Sequence, residues 1–155
     1  MALKPHLWAY DDAPVDNPTA VLVLLALADE AADDGTGSCP YLDKLAKRAR
    51  VSERSVQNHL RDLFRARLID KGDPGVAQRR YRKAAGQAPR CWDLNLSATR
   101  QNVPEPRTDD EMRREYSSMI GVKPLRKSGK TGVQDLHPAS DQGEHPREVQ
   151  DLHPA

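Results

Sequence analysis

Two short apolar periods, separated by a single Val-Ser pair, restrict this chain more than any other feature. In "PYLDKLAKRA", Leu42, Leu45, Ala46 and Ala49 recur at i, i+3, i+4 and i+7, so they share one face of a helix whose Lys44, Lys47 and Arg48 point outward. Val51-Ser52 ends that period. Ser52 is a good N-cap, and Val56, Leu60, Leu63 and Phe64 then return at i, i+4, i+7 and i+8, which predicts another helix to about Arg67. Its opposite face holds Ser52, Glu53, Arg54, Gln57, Asn58 and Arg61. A merely solvated face is mixed in sign and rich in Lys and Glu. This one offers Arg, Gln and Asn, the side chains that bond base edges through two hydrogen bonds at once.

The flanking segments supply the rest of a small core. "NPTAVLVLLALADEAADDGTG" has a capping Asn17, Pro18 at the first helical position and a closing Gly35-Thr36-Gly37 turn. A helix of about four turns, apolar nearly all round, belongs inside a core. The preceding "PHLWAY" is expected to lay Trp8 and Tyr10 over it. Downstream, "LIDKGD" and "RCWDLNL" both alternate apolar with polar positions, which predicts two strands joined by a loop. The joining segment, "PGVAQRRYRKAAGQAP", carries Arg79, Arg80, Arg82 and Lys83 around Tyr81 and no acidic residue. It reads as a basic hairpin tip suited to backbone phosphates.

Charge is distributed unevenly behind a net value of +1. Residues 1–40 have one Lys against seven Asp or Glu, residues 41–92 have fourteen Lys or Arg against five acids, and residues 93–155 have nine against eleven. The middle third is the electropositive part, and an anionic partner is expected there. With 155 residues, 12 prolines and one phenylalanine, one small core plus a loose tail is the expected organisation. No run of 18 apolar residues and no signal-peptide pattern occurs, so neither membrane nor export is indicated. Cys39 and Cys91 are too few and too far apart for a zinc cluster or a disulfide framework, so a reduced, cytoplasmic protein is expected. Neither a Gly-x-Ser-x-Gly elbow nor a phosphate-cradling glycine loop is present, and His59 falls at the edge of the predicted recognition helix. The reading is of a non-enzymatic protein without metal or cofactor.

"DDGTGSCPYLDKLAKRARVSERSVQNHLRDLFRARLI" resembles the winged helix-turn-helix domain of bacterial, plasmid and phage regulatory and replication proteins. The shared pattern is a Gly-rich turn, a Pro before the second helix, Leu-Ala, a Val-Ser turn, Ser followed by Val, and an exit in Leu-Ile. It covers roughly residues 18–96. The resemblance makes Ala46 the small residue where two helices touch, Val51-Ser52 the turn, and Ser55-Val56 the middle of the recognition helix. It also implies that the strand before the second helix pairs with the last strand, which brings Cys39 near Cys91; in a cytoplasmic protein the two packed thiols are nonetheless expected to stay reduced. Arg50 and Arg67 stand where the family often has glycine, and a non-glycine residue in a left-handed turn costs on the order of 1 kcal/mol.

Beyond Leu96 the chain changes character. In "TDDEMRREYSSMIG", Thr108 and Glu111 fit a capping box, three acids fill the first turn, and Met112, Tyr116, Met119 and Ile120 form one apolar stripe. Such a helix either docks back on the preceding domain or binds a partner or a second copy. The end of the chain then repeats with a period of eight: "VQDLHPAS", "DQGEHPRE" and "VQDLHPA" align Gln134, Gln142 and Gln150, and His137, His145 and His153 are each followed by Pro. Proline in every unit forbids a sustained helix, so disorder is expected.

The fold class expected is mainly α with a small β-sheet: a winged domain over 1–100, a short amphipathic helix segment over 101–122, and a disordered tail with three Gln-x-x-His-Pro octads over 123–155. Ser52, Arg54, Ser55, Gln57, Asn58 and Arg61 are the expected base contacts. Lys44, Lys47, Arg79, Arg80, Arg82 and Lys83 are the expected phosphate contacts. Double-stranded DNA is the expected partner, with replication proteins reached through residues 108–155 and a homodimer as further partners. Two uses fit: a replication initiator or accessory factor of a mobile element, and a small operator-binding transcription regulator.

Overall fold

The computed structural model describes residues 3–117, which lie within one compact unit. Met119, Ile120, the basic linker and the three octads lie outside the described residues. The chain opens with α1 (Leu3–Leu7), continued by a wider, π-type turn over Trp8–Asp12. Next comes α2 (Pro18–Glu30), the central helix, whose Val23, Leu24 and Leu27 are fully buried. It starts where the sequence indicates, because the Asn17 carboxamide oxygen accepts from the Thr19 and Ala20 amides at 2.9 and 3.2 Å. α3 (Leu42–Ala49) and α4 (Glu53–Arg65) both pack on α2 and on each other. Trp8 covers this core and its indole N–H donates to the Ala98 carbonyl at 2.6 Å. Tyr10 does not join it. Trp8 and Tyr10 stand two positions apart on a helical winding and so point to opposite sides, which leaves Tyr10 facing outward and corrects the expectation that both aromatics cover α2.

The sheet is small. β1 (Ile69–Lys71) and β2 (Trp92–Leu94) pair antiparallel, Ile69 opposite Leu94 and Lys71 opposite Trp92. A one-residue bridge adds Ser38 on the other side of Trp92: each amide donates to the other's carbonyl, at 3.0 and 2.7 Å. Ser38 and Trp92 therefore form a hydrogen-bonded pair, and their neighbours Cys39 and Cys91 occupy the adjacent non-hydrogen-bonded position, where antiparallel backbones come closest. Their Cα atoms are 4.1 Å apart and the sulfurs are joined in a disulfide. The nearness implied by the resemblance is found, and the expectation of two reduced thiols is corrected.

A second correction concerns the segment between the strands, which is not a bare hairpin tip. It contains α5 (Pro74–Tyr81), capped by the Asp73 carboxylate, which accepts from the Gly75 amide at 2.8 Å. The physical reason is apolar: Ala77 is buried against Cys39 and Cys91, with Val76, Tyr81 and Ala88 packed around them. The Tyr81 hydroxyl donates to the Cys39 carbonyl at 3.1 Å and its ring meets Tyr41 edge-on at 4.9 Å. Winding as a helix lets this stretch cover the disulfide while its backbone groups bond one another.

After β2 the chain crosses back over α4. The Arg107 amide donates to the Arg65 carbonyl at 2.7 Å, and its guanidinium, 4% exposed, donates to the Phe64 carbonyl. The same group pairs with Asp70 and Glu115 at 3.2 Å each and lies 3.8 Å above the centre of the Phe64 ring. The capping box follows: the Thr108 amide donates to Glu111 at 2.7 Å and the Glu111 amide to the Thr108 hydroxyl at 3.3 Å. It starts α6 (Asp109–Glu111), which continues in π-type winding over Met112–Tyr116. Met112 is buried and the Tyr116 ring stands 5.3 Å from Phe64, so this segment docks onto its own domain.

Two stability measurements check these joints. Arg107→Ala should lower the unfolding free energy by about 2 to 4 kcal/mol in a denaturant titration, because it removes the buried guanidinium that bonds the Phe64 carbonyl, Asp70 and Glu115, whereas Arg113→Ala, whose pair with Asp110 is solvent-exposed, should change it by less than about 0.5 kcal/mol. Thiol titration of the denatured, unreduced protein should find no free thiol, and reduction should cost up to about 4 kcal/mol, the loop-closure value for a cross-link of this span.

Candidate nucleic-acid interface

α3 and α4 are joined by three residues, and each has a distinct task. Arg50 adopts the left-handed conformation, φ 58°, and its amide closes α3 on the Ala46 carbonyl. The Val51 amide donates to the same carbonyl at 3.1 Å while its side chain packs on the core. Ser52 is extended, and its hydroxyl oxygen accepts from the Ser55 amide at 3.1 Å, starting α4. Ala46 is buried in the core. α4 then turns Val56, Leu60, Leu63 and Phe64 inward.

What remains outside is a polar ridge. Ser52, Arg54, Gln57, Asn58 and Arg61 are exposed, while Ser55 is half-buried beneath the cap. Arg54, Gln57, Asn58 and Arg61 fall at i, i+3, i+4 and i+7, one line down the helix about 10 Å long. At the head of this line, Asp43, Ala46, Lys47, Arg50, Val51, Ser52 and Glu53 line a shallow hollow at the turn.

Residues 17–69 match the family model of a helix-turn-helix domain. This match takes in α2, α3, α4 and the first residue of β1, and supports a DNA-binding family. No curated protein and no solved structure matches the chain. Among the described residues, no cluster of three or more His, Cys, Asp or Glu could hold a metal ion, and no helix is long and apolar enough to cross a membrane.

Ion pairing sorts the basic residues around the helix-turn-helix. The end of α2 presents Asp29 and Glu30. Arg48 pairs with Asp29, Lys44 with Glu30, and Arg80 approaches Glu30 at 3.8 Å. The hydrogen bond to Glu30 raises the affinity of Lys44 for its proton. Arg65 and Arg67, at the far end of α4, bond Asp109 and Glu111 at 2.8 and 2.9 Å. The Arg65 hydrogen bond holds the Asp109 carboxyl below its ordinary range, and the Thr108 amide does the same for Glu111. Arg79 lies 3.8 Å from Asp73. Lys47, Arg50, Arg54, Arg61, Arg82 and Lys83 form no salt bridge among the described residues.

Of the expected phosphate contacts, Lys44 and Arg80 are thus tied to Glu30, and Arg79 faces Asp73, while Lys47, Arg82 and Lys83 are unpaired among the described residues. Arg79, Arg80, Arg82 and Lys83 sit on and just beyond α5, beside the start of α3, and not on a protruding tip. Sequence reasoning missed Arg50 and Glu53 as lining of the hollow. The signal was available: both immediately flank the Val51-Ser52 turn.

Three arginines, Arg50, Arg67 and Arg82, have positive φ, at 58°, 60° and 52°. The first two are the positions where the resemblance leads one to expect glycine. Their side chains differ: Arg67 bonds the Glu105 carbonyl and Glu111 at 2.9 Å each, and Arg50 makes no such bond among the described residues. Arg50→Gly should therefore raise stability by up to about 1 kcal/mol while weakening non-specific DNA binding, and Arg67→Gly should lower stability despite relieving the same conformation. Chemical denaturation and a filter-binding assay read both effects.

Proposed function

We propose that this protein recognises a specific double-stranded DNA sequence, with α4 in the major groove and Arg54, Gln57, Asn58 and Arg61 on base edges. The observation that carries the reading is the line these four side chains form on the exposed face of a helix anchored by its Ser52 cap. A ridge about 10 Å long spans roughly three base steps, and a helix fits the major groove. Ser52 and Ser55 contribute at the head of α4, while Lys47, Arg82 and Lys83, with Arg79, contact phosphate, as would Lys44 and Arg80 once released from Glu30. The biological use proposed is replication: an initiator or accessory factor of a plasmid, phage or integrated element, supported by the resemblance to that class of winged domain. Replication proteins would then be reached through residues 108–155.

Selected sites from a random DNA pool supply the target. On that site Arg54→Ala or Asn58→Ala should lose about 1 to 3 kcal/mol of binding free energy, with much less lost on random DNA. Equal losses on both DNAs would exclude base readout. Replacing Arg82 and Lys83 should weaken all DNA alike and flatten the salt dependence by up to about one unit of slope for each lost phosphate contact. Mapping the bound sites across host and element DNA separates the uses: clustered sites at an origin support replication, and single sites over promoters would make the protein an operator-binding regulator.

A further inference from the structure

α1 and its continuation have one face in the core, and among the described residues the other is uncovered. Pro5, Trp8 and Ala9 are buried. On the opposite side, Leu3, Leu7 and Tyr10 are 67, 50 and 66% exposed. Among the described residues six large hydrophobic side chains are exposed, and three of them fall within these eight positions, so this is a patch and not scatter. Its charges are segregated: exposed Lys4 stands at the start, and exposed Asp11 and Asp12 at the end. Of the other acids nearby, Asp29 pairs with Arg48 and with His6 of α1 itself, and Glu30 pairs with Lys44. The docked segment over Met112–Tyr116, the other self-association candidate, has spent its apolar side chains on Phe64 and the core.

We infer that this face binds the same face of a second copy of this chain, the two α1 segments crossing antiparallel about a two-fold axis at Leu7. The argument is self-complementarity. A two-fold axis needs a surface that matches its own reverse. Reversing this one places Leu7 on Leu7, Leu3 beside Tyr10, and Lys4 of each copy within a helical turn of Asp11 and Asp12 of the other. A parallel arrangement would set Lys4 against Lys4 and the aspartates against each other. The contact is a single helix pair, smaller than the standard interface of about 1,200 to 2,000 Å². The dimer is therefore weak in free solution and gains when two copies sit on adjacent DNA half-sites.

The inference does not depend on which DNA is bound, and the full chain without DNA tests it by sedimentation over a concentration series reaching about 1 mM, the range in which so small an interface associates. The wild type should show a reversible monomer–dimer equilibrium. Leu7→Glu, which places two carboxylates on the axis, should weaken it at least about tenfold. Lys4→Glu alone should weaken it about threefold, and adding Asp11→Lys and Asp12→Lys to that variant should restore wild-type association, because the charges are exchanged on both copies at once. Circular dichroism checks that each variant keeps its fold, and Leu22→Glu, an exposed apolar position outside the patch, should associate like the wild type. A chain that stays monomeric throughout, a Leu7→Glu variant that dimerises normally, or a charge exchange that fails to restore association each overturns the inference.

Discussion

Trp92 is the residue on which the rest of the domain depends. It is buried, it exchanges two hydrogen bonds with Ser38, it pairs with Lys71 across the sheet, and its ring meets Phe64 edge-on at 6.4 Å. Through those contacts a single side chain and its backbone link the strand-like entry to α3, the exit from α4 and the floor of the core. The placement of α4 follows from it, because Phe64 lies in the last turns of that helix and packs against the indole on one side. On the other side Phe64 meets Tyr116 and the Arg107 guanidinium. α4 is thus held at both its N-terminal cap and its C-terminal packing, and the second support is aromatic.

Most of the helical frame was legible because the devices that start and stop it are local. Asn17-Pro18, Ser52 and Thr108 with Glu111 act within a few residues of themselves, and the structure uses all of them as caps. The buried faces of α3 and α4 were legible for the same reason, since a period of 3.6 needs no knowledge of what covers it. The missed helix α5 had its own local sign: Asp73-Pro74 repeats the cap-and-proline device of Asn17-Pro18. Arg79, Arg80, Arg82 and Lys83 mark this stretch by charge, while Val76, Ala77 and Tyr81 have as their apolar partner a disulfide formed across 52 positions. No sequence window contains that partner. Tyr10 and the disulfide itself escaped for different reasons: Tyr10 follows Trp8 by two positions on a helical winding and so points the other way, and the disulfide needs a strand pairing that only the folded sheet supplies.

For the proposed DNA-binding surface, residue types were legible and their pairing states were not. The exposed ridge on α4 follows from periodicity alone. Which cations remain free follows from where α2 ends, because Asp29 and Glu30 arrive beside α3 only once the helices pack. The acidic first third and the basic middle third are thus partly neutralised against each other in the folded chain, as are Arg65 and Arg67 by the docked segment that follows β2.

Glu30 has a consequence for how a protein of this kind would search a genome. A cation already held by a carboxylate displaces few counterions from a phosphate backbone, so Lys44 and Arg80 add little to indiscriminate attraction. With its adhesive charge reduced at the flank and its hydrogen-bonding side chains left free on the ridge, the domain would leave wrong sites quickly. Residence time would then be set by the match beneath α4 and less by the length of duplex it happens to land on.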